Sequence, residues 1–245
     1  MRIKIPWSLT GASENPQPQL PTNTAQAASA DKTVCFYRDN FLRNGPTALP
    51  LILCLFLLLT SAECQRDQWQ QPERVMDSLH VRPGMVVGEA GAGGGYFTFK
   101  LSPRVGTNGK IYANDIDQDK LKQLRQEIER DSITNIIPIL GKPEDPCFPD
   151  SLLDMVIMVY VIHDVENPVP FLKNIKFYLK EGAPVVIVDR DPDKFGGRTG
   201  HFLPREEIEK ILSESGYWIH KIMTFLPRDN IYVAYPSGNK GPENR

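Results

Sequence analysis

The sequence predicts a doubly wound α/β domain beginning near residue 66. Three observations carry this. Beyond that point strand-like and helix-like segments alternate five times, and the chain then closes in a strand, a turn and a strand. That order builds a parallel sheet with one antiparallel strand added near its edge. The segment LDMVIMVYVI over 153–162 is apolar nearly throughout, as a central strand covered on both faces must be. A turn dense in glycine joins the first strand to the helix after it, where such sheets bring bare backbone to their open end.

The elements follow in order. RDQWQQPERVMDSLHV over 66–81 sets Trp69, Val75, Met76 and Leu79 near one helical face, with Pro72 placed to open the main segment. MVVGEA at 85–90 reads as a buried strand, YFTFKLSPRV as a helix, and KIYAND at 110–115 as the second strand. DQDKLKQLRQEIERD is a helix with Leu121, Leu124 and Ile128 turned inward. NIIPIL at 135–140 is the third strand, 153–162 the fourth and PVVIVD at 184–189 the fifth, with PVPFLKNIKFYL a helix between the last two. PREEIEKILSESG at 204–216 has the charged first turn and terminal glycine of a complete helix. WIHKIMTFL and IYVAYP, joined by Pro227-Arg228-Asp229-Asn230, form a hairpin.

Upstream the character changes. Residues 1–46 read as a disordered leader: ENPQPQLPTNTAQAASA over 14–30 is polar and rich in Pro, Gln, Thr and Ala, with no apolar period. Within 47–62, ALPLILCLFLLL at 48–59 is a dozen residues long, short of the ~20 that cross a bilayer as a helix but suited to a signal-peptide core. Arg38 and Arg43 supply a positive flank, and Thr60-Ser61-Ala62 supplies small residues for cleavage. A lipoprotein reading through Cys64 meets Glu63 before the cysteine and no leucine three residues earlier. Two readings stay open: a signal peptide whose true start lies downstream of the leader, or a short membrane anchor carrying a disordered tail. A buried core helix fits less well, because the run has no polar face. Export or membrane attachment through 48–59 is therefore expected, with a cytoplasmic location if the leader is not part of the protein. Residues 237–245 read as a flexible tail.

Composition narrows the function classes. Length alone (245 residues) does not separate one large domain from two small ones. Apolar residues at 41% and charged residues at 24% are ordinary for a globular chain with a real core. A formal net charge of −2 gives no basic surplus for a phosphate backbone, so no nucleic-acid partner is expected. Cys35, Cys54, Cys64 and Cys147 form no CxxC pair and have no histidine at ligand spacing. They read as isolated thiols, and no metal is expected.

The richest local signal is VVGEAGAGGGY over 86–96. Gly91, Gly93 and Gly95 let the backbone turn sharply, approach a ligand without Cβ obstruction and aim free helix N-terminal amides at it. The spacing is GxGxG, and Tyr96 stands where a dinucleotide fingerprint wants its third glycine. Glu89 sits at the strand end, two residues before Gly91. It would repel a pyrophosphate and attract an ammonium and a sulfonium, by ~1–4 kcal/mol at about 4 Å depending on screening. Asp115 ends the second strand, placed to accept from two ribose hydroxyls. Either it or Asp117 could cap the helix beginning near Gln118, and Asp117 is the preferred cap. Ile116 would lie against an adenine face.

On VVGEAGAGGGYFT, KIYANDID, EDPCFPDSLLDMVIMVYVIHDV and LKEGAPVVIVD, residues 66–236 resemble class I S-adenosylmethionine-dependent methyltransferases, in the group related to ubiquinone/menaquinone-biosynthesis and other small-molecule methyltransferases. The resemblance implies a Rossmann-like seven-stranded sheet in the order 3-2-1-4-5-7-6, strand 7 antiparallel, with helices on both faces. It implies that Glu89, Gly91, Gly93 and Gly95 hold the methionine end of S-adenosylmethionine and Asp115 the ribose. The family often places an acid right after a glycine following the third strand, but Lys142 follows Gly141 here, which leaves Glu144, Asp145 or the backbone for adenine. Glu181-Gly182-Ala183 replaces the usual Pro-Gly-Gly, a structural turn.

Transfer of a methyl group from a sulfonium is an in-line displacement, so the protein mainly orients the acceptor and, for some acceptors, removes a proton. A small-molecule acceptor would arrive outside the carboxyl ends of strands four and five. Tyr160, His163 and Asp164 are the candidates there. His163 is either a general base, with an unperturbed pKa of ~6.5, or a loop residue bonding a backbone carbonyl. Asp189, Arg190 and Asp191 could line the same pocket; His201 could too, or simply precede the last helix, and Asp154 has a positional role. A nicotinamide-dependent oxidoreductase and a noncatalytic S-adenosylmethionine-binding module are the alternatives. An exported chain would also leave the compartment in which the methyl donor is made.

Overall fold

A computed structural model describes residues 65–195 and 200–238. The leader 1–46, the hydrophobic segment 47–62, Cys35, Cys54, Cys64 and positions 239–245 of the tail lie outside the described residues. Among the described residues, no helix is long and apolar enough to cross a membrane.

The sheet grows from β1 (Val86–Ala90), which pairs in parallel with β2 (Lys110–Asp115) on one side and β4 (Met155–Val159) on the other. β3 (Ile136–Leu140) extends it beyond β2, and β5 (Val185–Arg190) extends it beyond β4. β7 (Asp229–Pro236) enters antiparallel between β5 and β6 (Tyr217–Met223). The order is β3-β2-β1-β4-β5-β7-β6, as the resemblance to the methyltransferases implied.

Period-two alternation distributes the central strands between two cores. Met155, Ile157 and Val159 of β4 face one layer with Val186 and Val188 of β5. Val156 and Met158 face the other with Val185 and Ile187. The first layer is closed by α1 (Pro72–Ser78), α2 (Tyr96–Val105) and α3 (Gln118–Arg130), through Val75, Met76, Leu101, Leu121 and Leu124. The second is closed by α4 (Pro168–Tyr178) and α5 (Arg205–Glu214), through Leu172, Ile175, Ile208 and Leu212.

Three boundaries differ from the sequence expectation. At the hairpin, β6 ends at Met223 and not at Leu226, and β7 begins at Asp229, so Asp229 and Asn230, expected in the turn, pair with Arg190 and Asp189 in the sheet. The helix expected over 66–81 breaks at Gln71, whose φ is 46°, so 65–70 and α1 are separate. Pro72 lacks an N–H and crowds the preceding residue, so the first segment cannot run on into α1. The fourth strand, expected over 153–162, ends at Val159 because Tyr160 turns left-handed at φ 58°. A short 3₁₀ turn, Ile162–Asp164, follows it. Asp154 stands just before the strand, where its carboxylate accepts from the Val86 amide at 2.8 Å and from Lys180 Nζ at 2.8 Å, the positional role expected of it.

Candidate active site

The carboxyl ends of β1, β2 and β4 open into two adjoining cavities. One, of about 380 Å³, is lined by Arg66, Glu89, the glycine loop, Tyr96 and Tyr160. The other, of about 400 Å³, is lined by Gly91, Asp115, Ile116, Lys142, Tyr160, Asp164 and Phe171 among others. Gly91 and Tyr160 border both, so the cavities are two lobes meeting at that pair.

The loop geometry explains the glycines. A Cβ at Gly91 would collide with the Val161 side chain, and φ is +76° there. At Gly93, with φ +56°, a Cβ would meet nothing within 4 Å, so bare backbone borders open space. Asp115 braces this loop: its Oδ2 accepts from the Gly93 amide at 2.7 Å and its Oδ1 from the Asp117 amide at 2.9 Å. Asp117 caps α3, accepting from the Asp119 and Lys120 amides. Two adjacent acids thus divide the work, one bordering the lobe and one ending the helix. Ile116 is 60% exposed and lies on the lobe wall.

Glu89 is buried and accepts from Thr98 Oγ1 at 2.5 Å. Burial pushes its carboxyl up to about 8, against the Thr98 hydrogen bond and the Arg66 charge, which pull it down. Arg66 comes from the helical segment 65–70 and lies 3.6 Å from the Tyr96 ring centroid. That segment is fastened to α2 by the Tyr96 hydroxyl donating to Asp67 and by Lys100 pairing with Asp67 at 2.8 Å.

Tyr160, His163 and Asp164 do come together at the end of β4, with different duties. The Tyr160 hydroxyl donates to Asp229 Oδ1 at 2.5 Å, so it is the ring that separates the two lobes. His163 does not bond a backbone carbonyl: its Nδ1 lies 2.9 and 2.8 Å from the two oxygens of Asp189, whose side chain is wholly buried. Asp164 is largely exposed and lines the second lobe. Glu144 and Asp145, expected near adenine, are engaged elsewhere. Glu144 accepts from Asn167 Nδ2 at 2.8 Å, and Asp145 from the Cys147 amide and the Tyr178 hydroxyl. Lys142 and Pro143 take the wall position instead, because the bend after β3 uses those two carboxylates to hold itself against α4. Cys147 is a free, half-buried thiol in that bend.

Sequence reasoning missed Arg66, Tyr96 and Thr98. Thr98 could have been found from its place one turn into the helix after the loop, where a hydroxyl can reach back to the strand end. Arg66 carries no such signal, because its reach depends on the break at Gln71.

A family model described as a methyltransferase domain matches residues 82–225, and the chain belongs to that family. The bare loop at Gly93 beside a buried acid fits a cationic amino-acid tail. Family membership removes the nicotinamide reading.

Among curated relatives, a ubiquinone/menaquinone biosynthesis C-methyltransferase from Shewanella frigidimarina is 27% identical over 146 residues, covering 58% of this chain and 56% of that protein. A tRNA (adenine(58)-N(1))-methyltransferase catalytic subunit from Yarrowia lipolytica is 38% identical over 64 residues, covering 26% of this chain and 16% of its own length. The chain thus spans about half or less of these relatives. A solved S-adenosylmethionine-dependent methyltransferase from Aquifex aeolicus superposes with a TM-score of 0.62 at 23% identity, covering 66% of this chain and 88% of that one. Geranyl diphosphate methyltransferase solved with S-adenosylmethionine gives 0.57 at 13% identity, covering 71% and 87%.

Proposed function

We propose that the chain transfers a methyl group from S-adenosylmethionine to a small-molecule acceptor, and that carbon is the atom methylated. The observation that carries the transfer is the pair of lobes meeting at Gly91 and Tyr160, one lined by Glu89 and the glycine loop, the other by Asp115 and Ile116. In this reading Glu89, Gly91, Gly93 and Gly95 hold the amino-acid end of the cofactor. Asp115 holds the ribose and Ile116 lies on the adenine. The cofactor supplies an activated methyl group on a positive sulfur. The chain's own residues exclude water and orient the acceptor, which enters beside Tyr160 and Asp164. Likeness to the ubiquinone/menaquinone C-methyltransferases supports a small acceptor and carbon as its nucleophile. The match to the tRNA enzyme covers only 64 residues, and the net charge of −2 does not favour a polyanionic substrate.

Calorimetry with S-adenosylhomocysteine and with NAD tests the cofactor assignment: the first binds and the second does not. Asp115→Asn preserves shape but removes a charged acceptor, and should weaken S-adenosylhomocysteine binding at least tenfold, the equivalent of about 1.5 kcal/mol for a hydrogen bond to a charged group. Unchanged affinity in that variant would remove the ribose assignment. Release of S-adenosylhomocysteine on incubation with candidate phenolic or enolic acceptors, with the new methyl located by mass spectrometry, tests transfer and the atom methylated.

A further inference from the structure

At the rim of the second lobe, Asp164 stands in a cluster with two histidines to which the proposed function gives no role. His163 and His201 place imidazoles on either side of Asp164: His163 Nε2 is 3.5 Å from Asp164 Oδ2, and His201 Nε2 is 3.7 Å from Asp164 Oδ1. One ligand atom from each residue lies within 4.8 Å of the other two. Both imidazole–carboxylate separations are longer than a good charged hydrogen bond. They are close to the edges of a coordination polyhedron, since two ligands on bonds of about 2.1 Å stand about 3.0–3.4 Å apart.

A second observation is independent of those distances. The His163 side chain is 3% exposed, and its Nδ1 is gripped by both oxygens of the buried Asp189. A carboxylate there holds the proton on Nδ1 and leaves the Nε2 lone pair facing Asp164, the outer-shell arrangement that fixes a metal-binding imidazole. The Phe202 ring packs edge-on at 4.6 Å from the His163 ring and the His201 ring at 4.8 Å, so the His163 ring has little freedom to turn. Asp164 and His201 are 62% and 63% exposed and are free to close by a rotamer change.

We propose that His163, Asp164 and His201 form a divalent transition-metal site on the rim of the cleft, with its open positions available to an ionisable oxygen of the acceptor. Two imidazoles and one carboxylate suit zinc, iron(II), cobalt(II) or manganese(II) better than magnesium or calcium. Three protein ligands leave positions for water or substrate. Asp164 belongs both to this set and to the lobe wall, so a bound cation borders the cleft. An acceptor coordinated there gives its oxygen's proton to solvent and keeps the electron pair. That pair, delocalised onto the neighbouring carbon of an enolate or phenolate, forms the bond to the methyl group. The S–C bond breaks with its pair returning to sulfur as a neutral thioether. The acceptor part rests on the methyltransferase reading, whereas the cation part stands without it.

The test uses the full chain, stripped with a chelator and titrated with Zn²⁺ by calorimetry and with Co²⁺ by visible absorption. We expect one equivalent of each. His201→Ala should lower affinity more than tenfold, and Asp189→Asn about ten- to a hundredfold, as losses of outer-shell partners do. S-adenosylhomocysteine affinity in His201→Ala should match the unaltered chain and so report an intact fold. Absence of stoichiometric binding by a chain that still binds S-adenosylhomocysteine would overturn the proposal, as would Zn²⁺ affinity unaffected by His201→Ala. Zn²⁺ binding without S-adenosylhomocysteine binding would instead sink the methyltransferase reading and leave the cation site standing.

Discussion

Glu89 is a carboxyl held in the wrong solvent until a cation arrives. Burial pushes it up to about 8, well above its value in an unfolded chain. Folding therefore favours its protonated form, and stability from this group is present at low pH and is lost as pH rises from about 4.5 to about 8. A bound ammonium reverses the preference, so cofactor binding should expel a proton. Affinity should rise toward tenfold per pH unit below about 8 and level off above it. Glu89→Gln should abolish that slope and weaken binding, while raising the melting temperature of the free protein at pH 8.5 by a few degrees. Calorimetry across pH and thermal denaturation check the two halves; a preserved slope would show that Glu89 is not the titrating group. At Tyr160 the hydroxyl serves the fold: it donates to Asp229, a residue of zero exposure. Tyr160→Phe strands that acceptor and should cost about 1–3 kcal/mol in denaturant unfolding.

At the scale of elements, the turn from β2 into α3 shows how cheaply one helix start is specified. Asp117→Ala removes the side chain that accepts from Asp119 and Lys120, and should cost about 1 kcal/mol. That corresponds to a melting point lower by ~2–4 °C for a domain of this size, with cofactor affinity little changed. Asp115 and Asp117 were separable in the sequence because a helix cap and a strand end differ by two positions. The succession of strands and helices, the glycine turn and the presence of the hairpin were legible too, since period-two runs and turn residues are local, whereas the order of the strands came from the family resemblance. The ends of β4 and of the first helix were not legible. The left-handed residues at Tyr160 and Gln71 follow from tertiary packing and from Pro72, not from an apolar period. The same holds for the partnership of His163 with Asp189, 26 residues apart. Adjacent parallel strands bring their carboxyl ends together, and only the register (Val159 against Val188) says which side chains meet.

For the whole molecule, the two cores lie on opposite faces of one sheet, and the glycine loop, Asp115, Tyr160 and Asp164 of the cleft all stand at the carboxyl ends of its strands. The apolar run at 48–59 bears on location rather than chemistry. We expect it to take the chain out of the soluble fraction or to be removed. Fractionation with N-terminal sequencing of the mature protein distinguishes these, and recovery of an intact, freely soluble chain would defeat both.

The placement of β7 between β5 and β6 has a consequence for biosynthesis. β7 must insert into the interior of the sheet, because among the described residues β6 pairs with no other strand. A nascent chain halted at about residue 228 would carry β6 unanchored, expose the open flank of β5, and lack the Asp229 that Tyr160 grips. Loss of the eight residues of this inner strand would thus disturb a cleft whose lining comes from elsewhere in the chain.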